Sequence, residues 1–245
     1  MSKKKSISLE SVKENGNKLI NFYDVPAVKK LANISNNPCF EAVQIDIPSR
    51  VALIGRSGAG KTNALINYIY LTQNTFRHIA VCFKEMEPLY EYLQDKLKES
   101  ITFYRGLDKL PSCSELPKAL DSVDGQILLI LDDMINEKDQ SKINEYMLRG
   151  RKQNRGITIF YLAQSYYKIP LFCRQQLGYI IIVKVGSKRD LRSILSDCSL
   201  DVDIDKLAHL YKEATKVFPS FFKINLNAPE DKTFSKDFNQ FLDPT

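Results

Sequence analysis

From Ile45 onward, short dense apolar runs alternate with amphipathic stretches, a pattern that predicts βαβ units around a parallel sheet. Arg50–Ile54 reads as the first strand, opening into a glycine-rich stretch and then a helix from Lys61 to about Thr72. His78–Phe83 predicts a second strand and leads into a charged helix over Pro88–Leu97. Ile101–Tyr104 reads as a short strand. Gln126–Leu131 is apolar nearly throughout, flanked by turn residues and ending in acids, which predicts a strand buried on both faces. A helix from Gln140 to about Lys152 and a strand at Ile157–Ala163 follow. Farther on come a strand at Tyr179–Val185, helices at Arg189–Leu195 and Asp203–Thr215, and a last strand at Val217–Ile224. Residues 1–45 read as a polar lead-in with a loop at Asn33–Pro38. Residues 46–224 read as one α/β domain, and 225–245 as a tail of little periodicity.

The length of 245 residues suits one such domain with short appendages. Thirty-five Lys and Arg against 29 acids leave a net charge of +6, which leans toward a polyanionic partner without identifying one. Five cysteines lie far apart with no Cys-x-x-Cys pair, and only two histidines are present, so a zinc site lacks ligands and a reducing compartment fits best. Met1–Ser6 is basic but precedes no apolar signal core. The longest apolar runs, Ile127–Leu131 and Tyr179–Val183, are too short for a bilayer. A soluble chain with no membrane partner is the expectation.

Candidate chemistry begins at Gly55-Arg56-Ser57-Gly58-Ala59-Gly60-Lys61-Thr62, which matches G-x-x-x-x-G-K-[ST] between a strand and a helix. Glycines let the backbone curl so that several N–H groups point at phosphate oxygens. Lys61 would reach the β- and γ-phosphates, the Thr62 hydroxyl would ligate Mg²⁺, and the helix N-terminus would face the same anion. A phosphate-binding loop in this setting predicts a P-loop NTPase of the RecA/ASCE-like α/β class, with a mainly parallel central sheet flanked by helices. The strand Ile127–Leu131 delivers Asp132 and Asp133 at its C-terminal end, Asp132 toward the metal and Asp133 toward the attacking water. Their alternative is to end a strand as turn residues. Neither an Asp-x-x-Gly nor an Asn-Lys-x-Asp sequence is present, so ATP is preferred over GTP. Ile157–Ala163 ends in Gln164-Ser165. Gln164 there is placed to sense the γ-phosphate, or merely to start a loop, and Ser165 is the weaker candidate. The cluster Arg149-Gly150-Arg151-Lys152-Gln153-Asn154-Arg155 admits three readings: an arginine finger for a neighbouring subunit, a contact to DNA phosphates, or a solvated helix end.

Taken together, these motifs and the downstream Ile169-Pro170-Leu171-Phe172-Cys173-Arg174 resemble those of the DNA-packaging ATPases of large DNA viruses and virophages, the viral branch of the FtsK–HerA superfamily. The likeness spans about residues 45–190. It implies a ring, hexameric or pentameric, that pumps double-stranded DNA into a preformed capsid, with ATP and Mg²⁺ bound between subunits. It further implies Arg151 or Arg149 as the finger in trans, with Arg155 and Arg174 as other candidates, and Gln164 as γ-phosphate sensor. Capsid proteins would be further partners, and the host cytoplasm, a virus factory or the virion the location. Outside that resemblance stand two alternatives: another ATPase of the same core, such as a helicase or remodelling enzyme, or a nucleotide-binding structural component of a virion. Asp133 stands where many members of the wider superfamily carry Glu.

Overall fold

A computed structural model describes residue 22 and residues 37–243, apart from 123, 124, 154, 155, 186, 187, 199 and 201. Most of the polar lead-in expected at 1–45, and the candidate Arg155, lie outside the described residues. From residue 37 the chain belongs to one compact unit, Ser35–Thr245.

Strands β1 (Arg50–Ile54), β2 (His78–Phe83), β3 (Ile101–Arg105), β4 (Ile127–Asp132), β5 (Ile157–Ala163), β6 (Tyr179–Ile182), β7 (Phe222–Asn225), β8 (Phe234–Lys236) and β9 (Gln240–Phe241) form one sheet in the order β3-β2-β4-β5-β1-β6-β7-β8-β9. The pairs from β3 through β6 are all parallel, and β7, β8 and β9 continue the sheet antiparallel. The helices are α1 (Phe40–Val43), α2 (Lys61–Leu71), α3 (Pro88–Leu97), α4 (Leu116–Ala119), α5 (Ser141–Arg149), α6 (Leu171–Arg174), α7 (Lys188–Cys198) and α8 (Ile204–Ala214).

Alternation along the strands decides which helix covers which face. Val51, Leu53, Val81, Leu128, Ile130, Phe160 and Leu162 point to one side, where Ala64, Leu65, Tyr68 and Ile69 of α2 and Tyr90 and Leu93 of α3 pack on them. Ala52, Ile54, Leu129, Leu131, Ile159 and Tyr161 point to the other, against Ile143, Tyr146 and Met147 of α5, Leu191 and Ile194 of α7, and Leu207 and Leu210 of α8. Covered on both faces, β1, β2 and β5 are buried over nearly their whole length, which is why they read as unbroken apolar runs.

Among the segments that depart from the sequence expectation, the strand expected at Tyr179–Val185 ends at Ile182, and the helix expected at Arg189–Leu195 runs over Lys188–Cys198. The strand expected at Val217–Ile224 starts only at Phe222, because Pro219 has no N–H to give to a ladder. The helix expected to run to Lys152 ends at Arg149 and tightens into a 3₁₀ turn over Gly150–Lys152. There a β-carbon on Gly150 would come within 3.3 Å of Ile159 Cδ1, so the turn lies against β5. Within the stretch beyond 225, β8 and β9 extend the sheet. Lys223 of β7 fastens that hairpin down: its fully buried ammonium donates to the carbonyls of Val43, Gln44 and Phe238, while burial pushes its pKa down to about 7. No helix among the described residues is long and apolar enough to cross a membrane.

Candidate nucleotide-binding site

β5 sits between β1 and β4, and the register Ile54↔Ala163 and Asp132↔Leu162 brings the C-terminal ends of all three strands level. The glycine-rich loop, the acid pair and Gln164 leave from those three ends, at the crevice outside the carboxyl edge where open α/β sheets place their ligands.

The loop is pinned from both sides. The Gly55 N–H donates to the Ala163 carbonyl at 3.0 Å, and the Arg56 N–H to the Lys184 carbonyl at 3.0 Å. Val183 lies so close behind that a β-carbon on Gly55 would fall 2.1 Å from its Cγ2, which requires glycine there. Gly58 and Gly60 take φ of 69° and 95°, turning the backbone into α2. No side chain caps the start of α2, so its first N–H groups face the loop. Arg56 and Ser57 are exposed and Ala59 is half-buried. The Lys61 ammonium folds over the loop, donating to the carbonyls of Gly55 at 3.1 Å and Arg56 at 3.5 Å. Positive-φ glycines, an open helix N-terminus and a lysine ammonium above them together fit a polyphosphate.

Asp132 closes β4, and its Oδ2 accepts the Tyr90 hydroxyl at 2.7 Å. Burial raises its pKa above the usual carboxylate value. The Tyr90 hydrogen bond and Lys61 pull the other way, and the charges of Glu87 and Asp133 raise it further. Asp133 adopts a left-handed backbone with φ 55°, ψ 32°, which reverses the chain out of the strand. Its carboxylate accepts from Gln164 Nε2 at 3.3 and 3.5 Å. The Thr62 hydroxyl donates to Glu87 Oε2 at 2.8 Å. Thr62, Asp132 and Glu87 are hard oxygen donors of the kind that Mg²⁺ takes alongside phosphate oxygens, so the residues present fit that ion.

Lys61, Thr62, Asp132, Asp133 and Gln164 therefore converge, whereas Arg149 and Arg151 do not join them. Arg50, the first residue of β1, donates to the Leu148 carbonyl at 3.4 Å, and nearby Arg151 helps to lower its pKa, after the larger effect of burial. The end of α5 thus lies at the amino edge of the sheet. A seven-residue β5 separates the two edges by about 20 Å, beyond the reach of one arginine side chain. Arg174 is engaged locally: it pairs with Asp197 and lies over the Tyr166 ring, 5.3 Å from its centroid. Ser165 turns away from the acids, its hydroxyl donating at 2.6 Å to buried Asp190 of α7, which also accepts the Tyr167 N–H.

Sequence reasoning missed Glu87 and Tyr90. Glu87 precedes α3, after β2, and only the adjacency of β2 to β4 carries it to the loop.

The model of the Poxvirus A32 protein family matches residues 42–217. No curated protein sequence matches significantly. Among solved structures, B204, the DNA-packaging ATPase of Sulfolobus turreted icosahedral virus, superposes with a TM-score of 0.58 at 16% identity, covering 78% of this chain and 97% of that one. The genome-packaging NTPase B204 of Sulfolobus turreted icosahedral virus 2, bound to ATP-gammaS, gives 0.57 at 17% identity, over 78% and 97%. EssC (ATPases 2 and 3) of Geobacillus thermodenitrificans gives 0.51 at 13% identity, over 81% and 40%. At such identities these structures establish a shared fold, that of P-loop ATPases.

Proposed function

The chain belongs to the Poxvirus A32 protein family, and we propose that it is the ATPase of a viral genome-packaging machine that drives double-stranded DNA into a preformed capsid. The observation that carries the chemistry is the side-by-side placement of Asp133 and Gln164 at adjacent strand ends, level with the phosphate loop.

The loop amides and the start of α2 bind the phosphates of ATP, and Lys61 leaves the Gly55 and Arg56 carbonyls to bridge the β- and γ-phosphates. Thr62 and Asp132 would hold Mg²⁺, which when bound neutralises charge on the phosphate oxygens. Tyr90 keeps the Asp132 carboxylate oriented by its hydrogen bond. Asp133 orients and polarises the attacking water, and Gln164, already bonded to that carboxylate, reports whether a γ-phosphate is in place. A finger from Arg149 or Arg151, which lie near Arg50 at the far edge of the sheet, would serve a neighbouring subunit's site in a ring. Contacts to DNA go mainly to its phosphates, since a motor must pass every sequence.

Steady-state ATP hydrolysis, measured with and without double-stranded DNA across protein concentration, tests this reading. The expected rate rises with DNA and more than linearly with protein, as sites completed by a second subunit require. Hydrolysis indifferent to both would remove the translocating ring and leave an ATPase of the same core. Strand separation would indicate a helicase.

Glu87 supplies a sharper test of the metal site. Its carboxylate orients the Thr62 hydroxyl, so Glu87→Ala should raise the Mg²⁺ concentration needed for tight binding of a fluorescent ATP analogue by about ten- to a hundredfold. Glu87→Gln keeps an acceptor and should lose less. Unchanged Mg²⁺ dependence in both variants would reduce Glu87 to the residue that starts α3.

A further inference from the structure

Val217 and Phe218 form an exposed apolar pair between α8 and β7, at 61% and 72% exposure, although neighbouring Phe221 is buried. The turn that presents them is held in place. The Ser220 N–H donates to the Val217 carbonyl at 2.9 Å, while Asp237 accepts the Ser220 hydroxyl at 3.2 Å and the Phe221 N–H at 3.1 Å. This turn is fastened with its aromatic ring left outside the core. The ring also lies against the phosphate loop: a β-carbon on Gly60 would come within 2.9 Å of Phe218 Cε2 and 3.6 Å of Cζ. Gly60 is the residue from which α2 and Lys61 begin. An aromatic ring is thus set beside the residues that bind phosphate, with most of its surface in water.

The geometry points to Phe218 as the platform on which the nucleotide's base stacks. The inference rests on the ATP-binding reading of the loop and adds to it the subsite beyond the phosphates. Stacking on an exposed ring covers apolar area on both partners, and every base has a π-face, so such platforms tolerate sequence and base identity. Phe carries no hydrogen-bonding group. Phe218 therefore distinguishes a nucleotide from bare polyphosphate, and ATP only weakly from GTP.

The chain contains no tryptophan, so Phe218→Trp introduces a single indole at the platform. Its fluorescence should change on titration with ATP or GTP and stay constant with inorganic tripolyphosphate. In Phe218→Ala, ATP should bind about tenfold more weakly while tripolyphosphate binds as before. Equal ATP affinity in Phe218→Ala and the parent chain, with an unresponsive indole in Phe218→Trp, would overturn the inference. Equal weakening of ATP and tripolyphosphate would also overturn it, by making the ring a prop for the loop. Loss of self-association in Phe218→Ala with unchanged ATP affinity would assign the ring to a subunit contact instead. Should neither ligand bind the parent chain, the ATP-site reading itself would fall, a result distinct from all of these.

Discussion

Lys61→Ala is expected to lower ATP turnover by about a hundred- to a thousandfold, the usual cost of removing one preorganised charge donor from a developing anion. The structure makes this a clean test. The ammonium is only half-buried and spends its hydrogen bonds on the Gly55 and Arg56 carbonyls, within the loop it covers. Truncation removes a half-buried side chain and no core packing, so the melting temperature should hardly move. The proposed phosphate cradle is made of backbone, from positive-φ Gly58 and Gly60 to the uncapped start of α2, and survives the change. Nucleotide should therefore still bind, more weakly, while the charge proposed to meet the γ-phosphate is lost. Turnover that persists in Lys61→Ala would show that hydrolysis happens elsewhere. Lost turnover together with a large fall in melting temperature would point to unfolding, and the binding titration separates the two cases.

How much of this site is legible in the sequence follows from how each part is encoded. The glycine-rich loop is local in its motif: eight consecutive residues between a strand and a helix carry the pattern, while Ala163 and Lys184 only pin it from outside. β1, β2, β4 and β5 are legible because burial on both faces demands unbroken apolar runs. Contacts that depend on strand order are not legible. Glu87 reads as a charge at the start of a helix until β2 is found beside β4. The placement of Arg149 and Arg151 was partly available, since a helix that follows a parallel strand returns to the amino edge of the sheet and carries its last residues away from the loop. Pro219 inside an apparent strand was a usable signal that Phe218 stands outside the ladder. β8 and β9, of three and two residues, are too short to show periodicity.

The companion expectation is that Asp133→Asn binds ATP about as tightly as the parent chain but hydrolyses it about a hundred- to ten-thousandfold more slowly, the range ascribed to a positioned acid or base. Asparagine is the informative replacement because of the backbone. Asp133 sits at φ 55°, where Asn is tolerated nearly as well as Asp, whereas Ala would add strain of about 1–2 kcal/mol and confuse stability with chemistry. Asn also keeps an acceptor for Gln164 Nε2, so the pair stays together and only the charge is lost. A small rise in ATP affinity would follow from removing one negative charge beside the γ-phosphate. The decisive comparison sets Asp133→Asn against Glu87→Gln, each followed by ATP binding and by single-turnover hydrolysis. Loss of hydrolysis with intact binding in Asp133→Asn alone assigns water activation to the end of β4. Wild-type hydrolysis there, with loss in Glu87→Gln, would move that task to Glu87 at the start of α3, which already accepts the Thr62 hydroxyl.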